Sequence, residues 1–129
     1  MSITVTVTDQ DKSIVRTAAY GAVGLLAAAG APHKGIGQGS IALTSATGLV
    51  GHVLSGKAKD VRLPGKNVAE LADQVLPALS AAMGALAQYP GEAENFRGTV
   101  LVAVEAAGQG KSNPAVAAMA AKITAALDA

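Results

Sequence analysis

NVAELADQVLPALSAAMGAL, residues 67–86, decides the fold class. Val68, Leu71, Ala72, Val75, Leu76, Leu79, Ala82, Met83 and Leu86 recur at three- and four-residue steps, the spacing that puts side chains on one face of an α-helix. Glu70, Asp73, Gln74, Ser80 and, just beyond, Gln88 fall on the other face. Asn67 followed by Glu70 resembles a capping box, so the helix should begin at Asn67. Pro77 lands on the polar side, where a missing N–H bends a helix around a core rather than breaking it.

The same period continues in both directions. Upstream, a helix should start near Asp9 or Asp11, two acids that suit the positive end of the helix dipole. Ile14, Ala18, Leu25 and Ala29 share a face, with Val15, Ala22 and Leu26 beside them; Ser13, Arg16, Thr17 and Tyr20 lie opposite. Gly30-Ala31-Pro32 should end it. Downstream, Tyr89-Pro90-Gly91 makes a break, and Glu92 and Glu94 open a helix whose apolar face is Phe96, Val100, Ala103, Val104 and Ala107. Gly108 and Gly110 should close it. Asn113-Pro114 reads as an N-cap followed by Pro at the first helical position. Val116, Met119, Ala120, Ile123 and Leu127 then line a terminal helix.

The region between Pro32 and Asn67 is less regular. His33-Lys34-Gly35-Ile36-Gly37-Gln38-Gly39-Ser40 reads as a glycine-rich loop leading into a helix over about 40–55, stopped by Gly56. Residues 57–66 form the most polar connection, with Pro64-Gly65 as a turn signal. At the N-terminus, Ile3, Val5 and Val7 alternate with Thr4, Thr6 and Thr8, the period of a strand. That segment is either a strand or an extended arm on the helices. Thr99–Val104 would also make a strand; a partner for the N-terminal one is Val100–Val104, Val61–Leu63 or the same segment of another subunit.

The expectation is an all-α fold: one Ala-rich domain over residues 1–129, a compact bundle of about five helices with a short extended N-terminal arm. The alternative is α+β, with the N-terminal strand pairing with residues 99–104. Composition supports close helix packing. The chain has 29 Ala and 15 Gly against one Phe, two Tyr and no Trp. Ala side chains cannot bridge a gap, so a core built on them requires backbones set close together.

Several function classes are disfavoured. The formal net charge is +1 and the charges are dispersed, which gives no electrostatic footprint for nucleic acid or a membrane surface. The only basic cluster, Lys57, Lys59, Arg62 and Lys66, is interrupted by Asp60. The charge-free stretch 35–56 is long enough to span a bilayer, but its Gln38, Ser40, Thr44, Ser45, Thr47, His52 and Ser55 would transfer poorly into lipid. The absence of Cys excludes disulfides, thiol catalysis and Cys-based zinc sites. The opening residues carry no basic and then apolar run, so no signal peptide is expected and the expected location is cytoplasmic. No cofactor is implied. Two His at positions 33 and 52, with no Glu-x-x-His pair, do not suggest a metal site.

Two places could carry function. In the expected helix over 40–55, Ala42, Leu43, Ala46, Leu49, Val50, Val53 and Leu54 form one apolar arc. The opposite arc holds Ser40, Thr44, Ser45, Thr47, Gly48, Gly51, His52 and Ser55, interrupted only by Ile41. A solvent face normally carries Lys and Glu, and this one has neither. It reads as an unusual solvent face, as a surface for close helix packing across a dimer axis, or as the lining of a small-molecule site with His52 and Ser45. Within one helix Ser45 and His52 would stand about 10 Å apart along the axis, too far for a nucleophile–base pair. The second place is the 33–40 loop, where His33, Lys34, Gly37, Gly39 and Ser40 could hold an anion on backbone N–H groups. It lacks the closing Gly-Lys-Ser/Thr of a phosphate-binding loop.

Apolar residues make up 50% of the chain and charged residues 15%, low beside the roughly 25% usual in soluble domains. A subunit interface would hide more of this surface than one small core can. The leading expectation is therefore a helical interaction or structural protein that self-associates, most simply as a homodimer. The alternative is a small-molecule-binding protein or small enzyme, with its site between residues 33–40 and the His52 face.

Overall fold

A computed structural model of the chain describes residues 8–31, 33–54, 67–108 and 114–128, the His33 side chain excepted. These residues form six helices and no strand: α1 (Asp9–Ala29), α2 (His33–Thr44), α3 (Gly48–Leu54), α4 (Val68–Leu86), α5 (Glu92–Ala107) and α6 (Pro114–Asp128). The expected N-terminal arm and the basic cluster at 57–66 lie outside the described residues. No described helix is long and apolar enough to cross a membrane.

Helix α1 is the axle of the bundle and touches each of the other five. Its composition permits this. Ala18, Ala19, Gly21 and Ala22 are buried with Val15, Val23, Leu25 and Leu26, so neighbours approach on several sides. The Thr8 hydroxyl caps its start by accepting from the Asp11 amide at 3.1 Å. Gly30 ends it at φ 114°, and the Ala31 amide reaches back to the Leu26 carbonyl at 2.8 Å. Only a residue free of a Cβ penalty takes that left-handed cap readily.

The C-terminal half matches its periodicity. Helix α4 starts on Asn67, whose side chain accepts from the Glu70 amide at 2.9 Å, and buries Val75, Leu79, Ala82 and Leu86. Pro77 is exposed within it. Helix α5 buries Phe96, Val100, Ala103, Val104 and Ala107. Residues 99–104 are therefore helical, which removes the α+β alternative. The Phe96 aromatic ring and the i, i+3/i+4 spacing outweigh the local β-propensity of the valines. Helix α6 buries Val116, Met119, Ile123 and Leu127. Its end is tied to α5 by the Arg97–Asp128 ion pair, 2.6 Å from Nε to Oδ1 and 3.2 Å from Nη2 to Oδ2. Ser80, expected on the polar face of α4, is half-buried and donates to the Ala126 carbonyl at 2.8 Å.

The region 33–54 differs from its expected layout in two ways. First, the glycine-rich stretch is not a loop but the start of α2. Gly35 and Gly39 stand one turn apart on the side facing α5. A methyl on Gly35 would overlap the Ala107 carbonyl oxygen, and one on Gly39 would sit 2.9 Å from the Ala103 carbonyl oxygen. Glycine weakens an isolated helix by about 1 kcal/mol per residue. Here it allows α2 and α5 to cross with backbone against backbone, and the packing outweighs the propensity.

Second, the helix expected over 40–55 is broken at residues 45–47, which raises the count from five to six. The Ile41 carbonyl is crowded: it accepts from the Thr44 hydroxyl at 3.0 Å, the Ser45 hydroxyl at 2.8 Å and the Ser45 amide at 2.9 Å. Side chains that satisfy carbonyls locally compete with helix continuation. Gly48 then takes φ 67° and the chain restarts as α3.

Candidate functional site

Helix α3 has seven residues, too few to persist alone. Side chains of other helices hold it at both ends. At its start, Glu92 Oε1 accepts from the Val50 amide at 3.2 Å, and Asn95 Nδ2 donates to the Thr47 carbonyl at 2.9 Å. At its end, Arg16 Nε donates to the Val53 carbonyl at 2.9 Å and the Tyr20 hydroxyl to the Leu54 carbonyl at 2.8 Å. An acid thus meets the positive end of the helix and a base the negative end. Arg16 and Tyr20, expected on the solvent side of α1, are half-buried for this reason. Burial pushes the Tyr20 phenol above its ordinary value, while the Arg16 charge pulls the other way.

Beyond the clamp, α2 and α5 leave a shallow open groove of about 450 Å³ on their outer side. Its lining includes Ala42 from α2, Ser45 and Ala46 from the break after it, and Glu94, Asn95, Gly98 and Thr99 from α5. Small residues at the crossing leave the groove; Val102 of α5 also lines it, and Ile41 precedes the lining Ala42 on α2. Ile41 and Val102 are each 59% exposed, and they are the exposed large hydrophobics among the described residues.

The described residues singled out from sequence are spread over α2, the 45–47 break and α3. Lys34 is exposed in the first turn of α2, and Gly37 is exposed with open space around it. Gly39 is buried against α5 and Ser40 is half-buried. The Gly37 and Gly39 amides fall inside a helix, where backbone N–H groups are spent on the ladder. The stretch is thus a helix and not the expected loop, and these two amides are not the free donors that the loop reading assumed. His33 belongs to α2, but its side chain is outside the description. Ser45 lines the groove and donates its hydroxyl to Ile41. His52 is exposed on α3 and is not among the groove-lining residues.

Thr44, Ser45, Thr47, Gly48 and His52 of the uncharged arc are all exposed, whereas Gly51 is buried against the Ala46 carbonyl. The arc is therefore mostly open surface, split by the break at 45–47. Among the described residues, no polar or charged side chain is buried, and no three His, Asp or Glu residues gather as metal ligands. Sequence reading missed Val102 as a surface residue and met Ile41 only as an interruption. The usable signal was that interruption: a large β-branched residue on a face otherwise small and polar. No protein-family model, curated protein or solved structure matches this chain.

Proposed function

We propose that this chain is a small helical interaction protein that works by assembling with itself through the outer face of α2 and α5. One observation carries the reading: Val102, largely exposed, lines the groove, and the equally exposed Ile41 is the chain neighbour of its lining residue Ala42. Isolated apolar residues on a surface need no explanation, but two beside one apolar groove form a patch that water covers poorly. The low charge content of the chain points the same way.

The described site residues lend a reaction little support. Ser45 lies in the break between α2 and α3 and His52 on α3, and the groove is lined by the first without the second. The deciding experiment is the molar mass in solution, by light scattering and sedimentation equilibrium, from micromolar to millimolar protein. A mass that climbs from one to two chains supports self-association. A mass of one chain throughout overturns it.

A further inference from the structure

The outer face of α2 and α5 carries an uneven pattern of charge. On α2 and the residue just past its end, Lys34, Gln38, Ile41 and Ser45 follow one another at steps of four, three and four residues, and all are exposed. On α5, Glu94, Gly98, Val102 and Glu105 do the same at steps of four, four and three. Such steps keep side chains on one side of a helix. Each helix thus presents one ridge, about 16 Å long at 1.5 Å per residue. The α2 ridge is basic at one end, and the α5 ridge is acidic at both.

The two helices run antiparallel, because Gly35 lies against Ala107 and Gly39 against Ala103. Stepping along that register brings Ile41 level with residue 101, within about 1.5 Å of the height of Val102. Lys34 and Glu105 share the opposite end from Ser45 and Glu94, within one turn of each other.

We infer that the occupant of this face is a second copy of the same chain, related by a two-fold axis that runs along the groove. The inference rests on the self-association reading above. With the axis along the groove, the α2 ridge of each copy lies on the α5 ridge of the other. Lys34 then meets a partner acid, Glu105, and Ile41 meets Val102, each twice by symmetry. A two-fold across the groove would instead set Ile41 on its own copy, bring Glu105 against Glu94, and leave both Lys34 residues without an opposite acid. Like charges so placed oppose the second arrangement, and the charges thereby fix orientation more than affinity.

The footprint bounds the strength. A face about 16 Å long and two helix diameters wide, about 20 Å, covers on the order of 300 Å² per copy. That is less than half of a standard interface, so the dimer belongs to the weak, reversible class.

The chain has no cysteine, so crosslinking reports the orientation directly. Ile41→Cys and Val102→Cys both replace exposed side chains, and Lys122→Cys on exposed α6 measures the rate of random collision. Each is oxidised alone, and the first two also as an equimolar mixture, at a concentration where the wild type is dimeric by mass. The expected result is a mixed Ile41→Cys/Val102→Cys disulfide forming at least tenfold faster than the Lys122→Cys control, with either variant alone near the control. Fast crosslinking of each variant alone would overturn the axis along the groove. No crosslinking above the control, with a dimeric mass, would overturn this interface while leaving self-association standing. A monomeric wild type would overturn both. Lys34→Glu should weaken the dimer about fivefold at low salt, and adding Glu105→Lys should restore it. Failure of that rescue would refute the charge pairing.

Discussion

Gly35 and Gly37 occupy the same helix two residues apart, and substituting each by Ala should change stability in opposite directions. Both replacements gain helix propensity, about 0.8–1 kcal/mol in a helix interior. Gly37 has open space where its Cβ would go, so it keeps that gain. At Gly35 the new methyl overlaps the Ala107 carbonyl oxygen. Backbone on an opposing helix cannot turn aside as a side chain can. Overpacking of this kind costs about 1–3 kcal/mol. Subtracting the propensity gain leaves Gly35→Ala destabilised by roughly 1 kcal/mol.

The two variants should therefore differ by about 2 kcal/mol, a factor near 30 in the folding equilibrium. The assay is urea unfolding followed by far-UV circular dichroism, with midpoints compared at constant m. It should be run at dilute protein, because any dimer adds stability by mass action. In a thermal scan the pair should separate by about 6–12 °C. If Gly35→Ala stabilises as much as Gly37→Ala, the backbones of α2 and α5 do not approach as described, and the registered face built on that crossing goes with it. Gly39→Ala gives a cross-check. Its methyl would also lie 3.2 Å from the Ala107 Cβ, so Ala107→Gly should relieve part of its cost in a double-mutant cycle.

Two further outcomes follow from the clamps and the ion pair. Tyr20→Phe removes the hydrogen bond to the Leu54 carbonyl and should cost about 1 kcal/mol; hydrogen exchange should show α3 opening faster while α6 is unchanged. Uniform loss of protection across both helices would argue against a local clamp. For Asp128, the Arg97 hydrogen bond holds the carboxyl below its ordinary value; slight desolvation opposes this, and the guanidinium charge adds to the lowering. A depressed carboxyl contributes stability above its unfolded value of about 4, and that contribution is lost as pH falls through the lower folded value. Arg97→Gln should raise the Asp128 midpoint read by NMR and lower stability near neutral pH but not near pH 2. An unchanged midpoint would remove the pair from the account.

Much of the fold was legible because helix periodicity and capping are local. Asn67, Gly30 and Pro114 mark helix ends through chemistry that acts within a few residues. The 3.6-residue repeat marked the buried face of α5, although its β-branched run at 99–104 also suited a strand. Ile41 was visible as an anomaly, but its level with Val102 was not, since those residues are distant in sequence. Arg16 and Tyr20 sat one turn apart on α1 and read as solvent-facing. A polar side chain looks the same in sequence whether it meets water or a helix end.

Sequence alone thus marked where α1, α4 and α6 run and pointed to close packing of Ala-rich faces, but it left residues 99–104 of α5 open between helix and strand. Those properties depend on backbone sterics and on spacing along one segment. Only the tertiary structure decided that Gly35 and Gly39 belong to a helix, that residues 45–47 break one, and that α2 and α5 bring their two ridges onto one face. A glycine favours a loop when nothing approaches it and a helix crossing when another backbone does. Which of the two occurs is set by the neighbour, and the neighbour of Gly35 is Ala107.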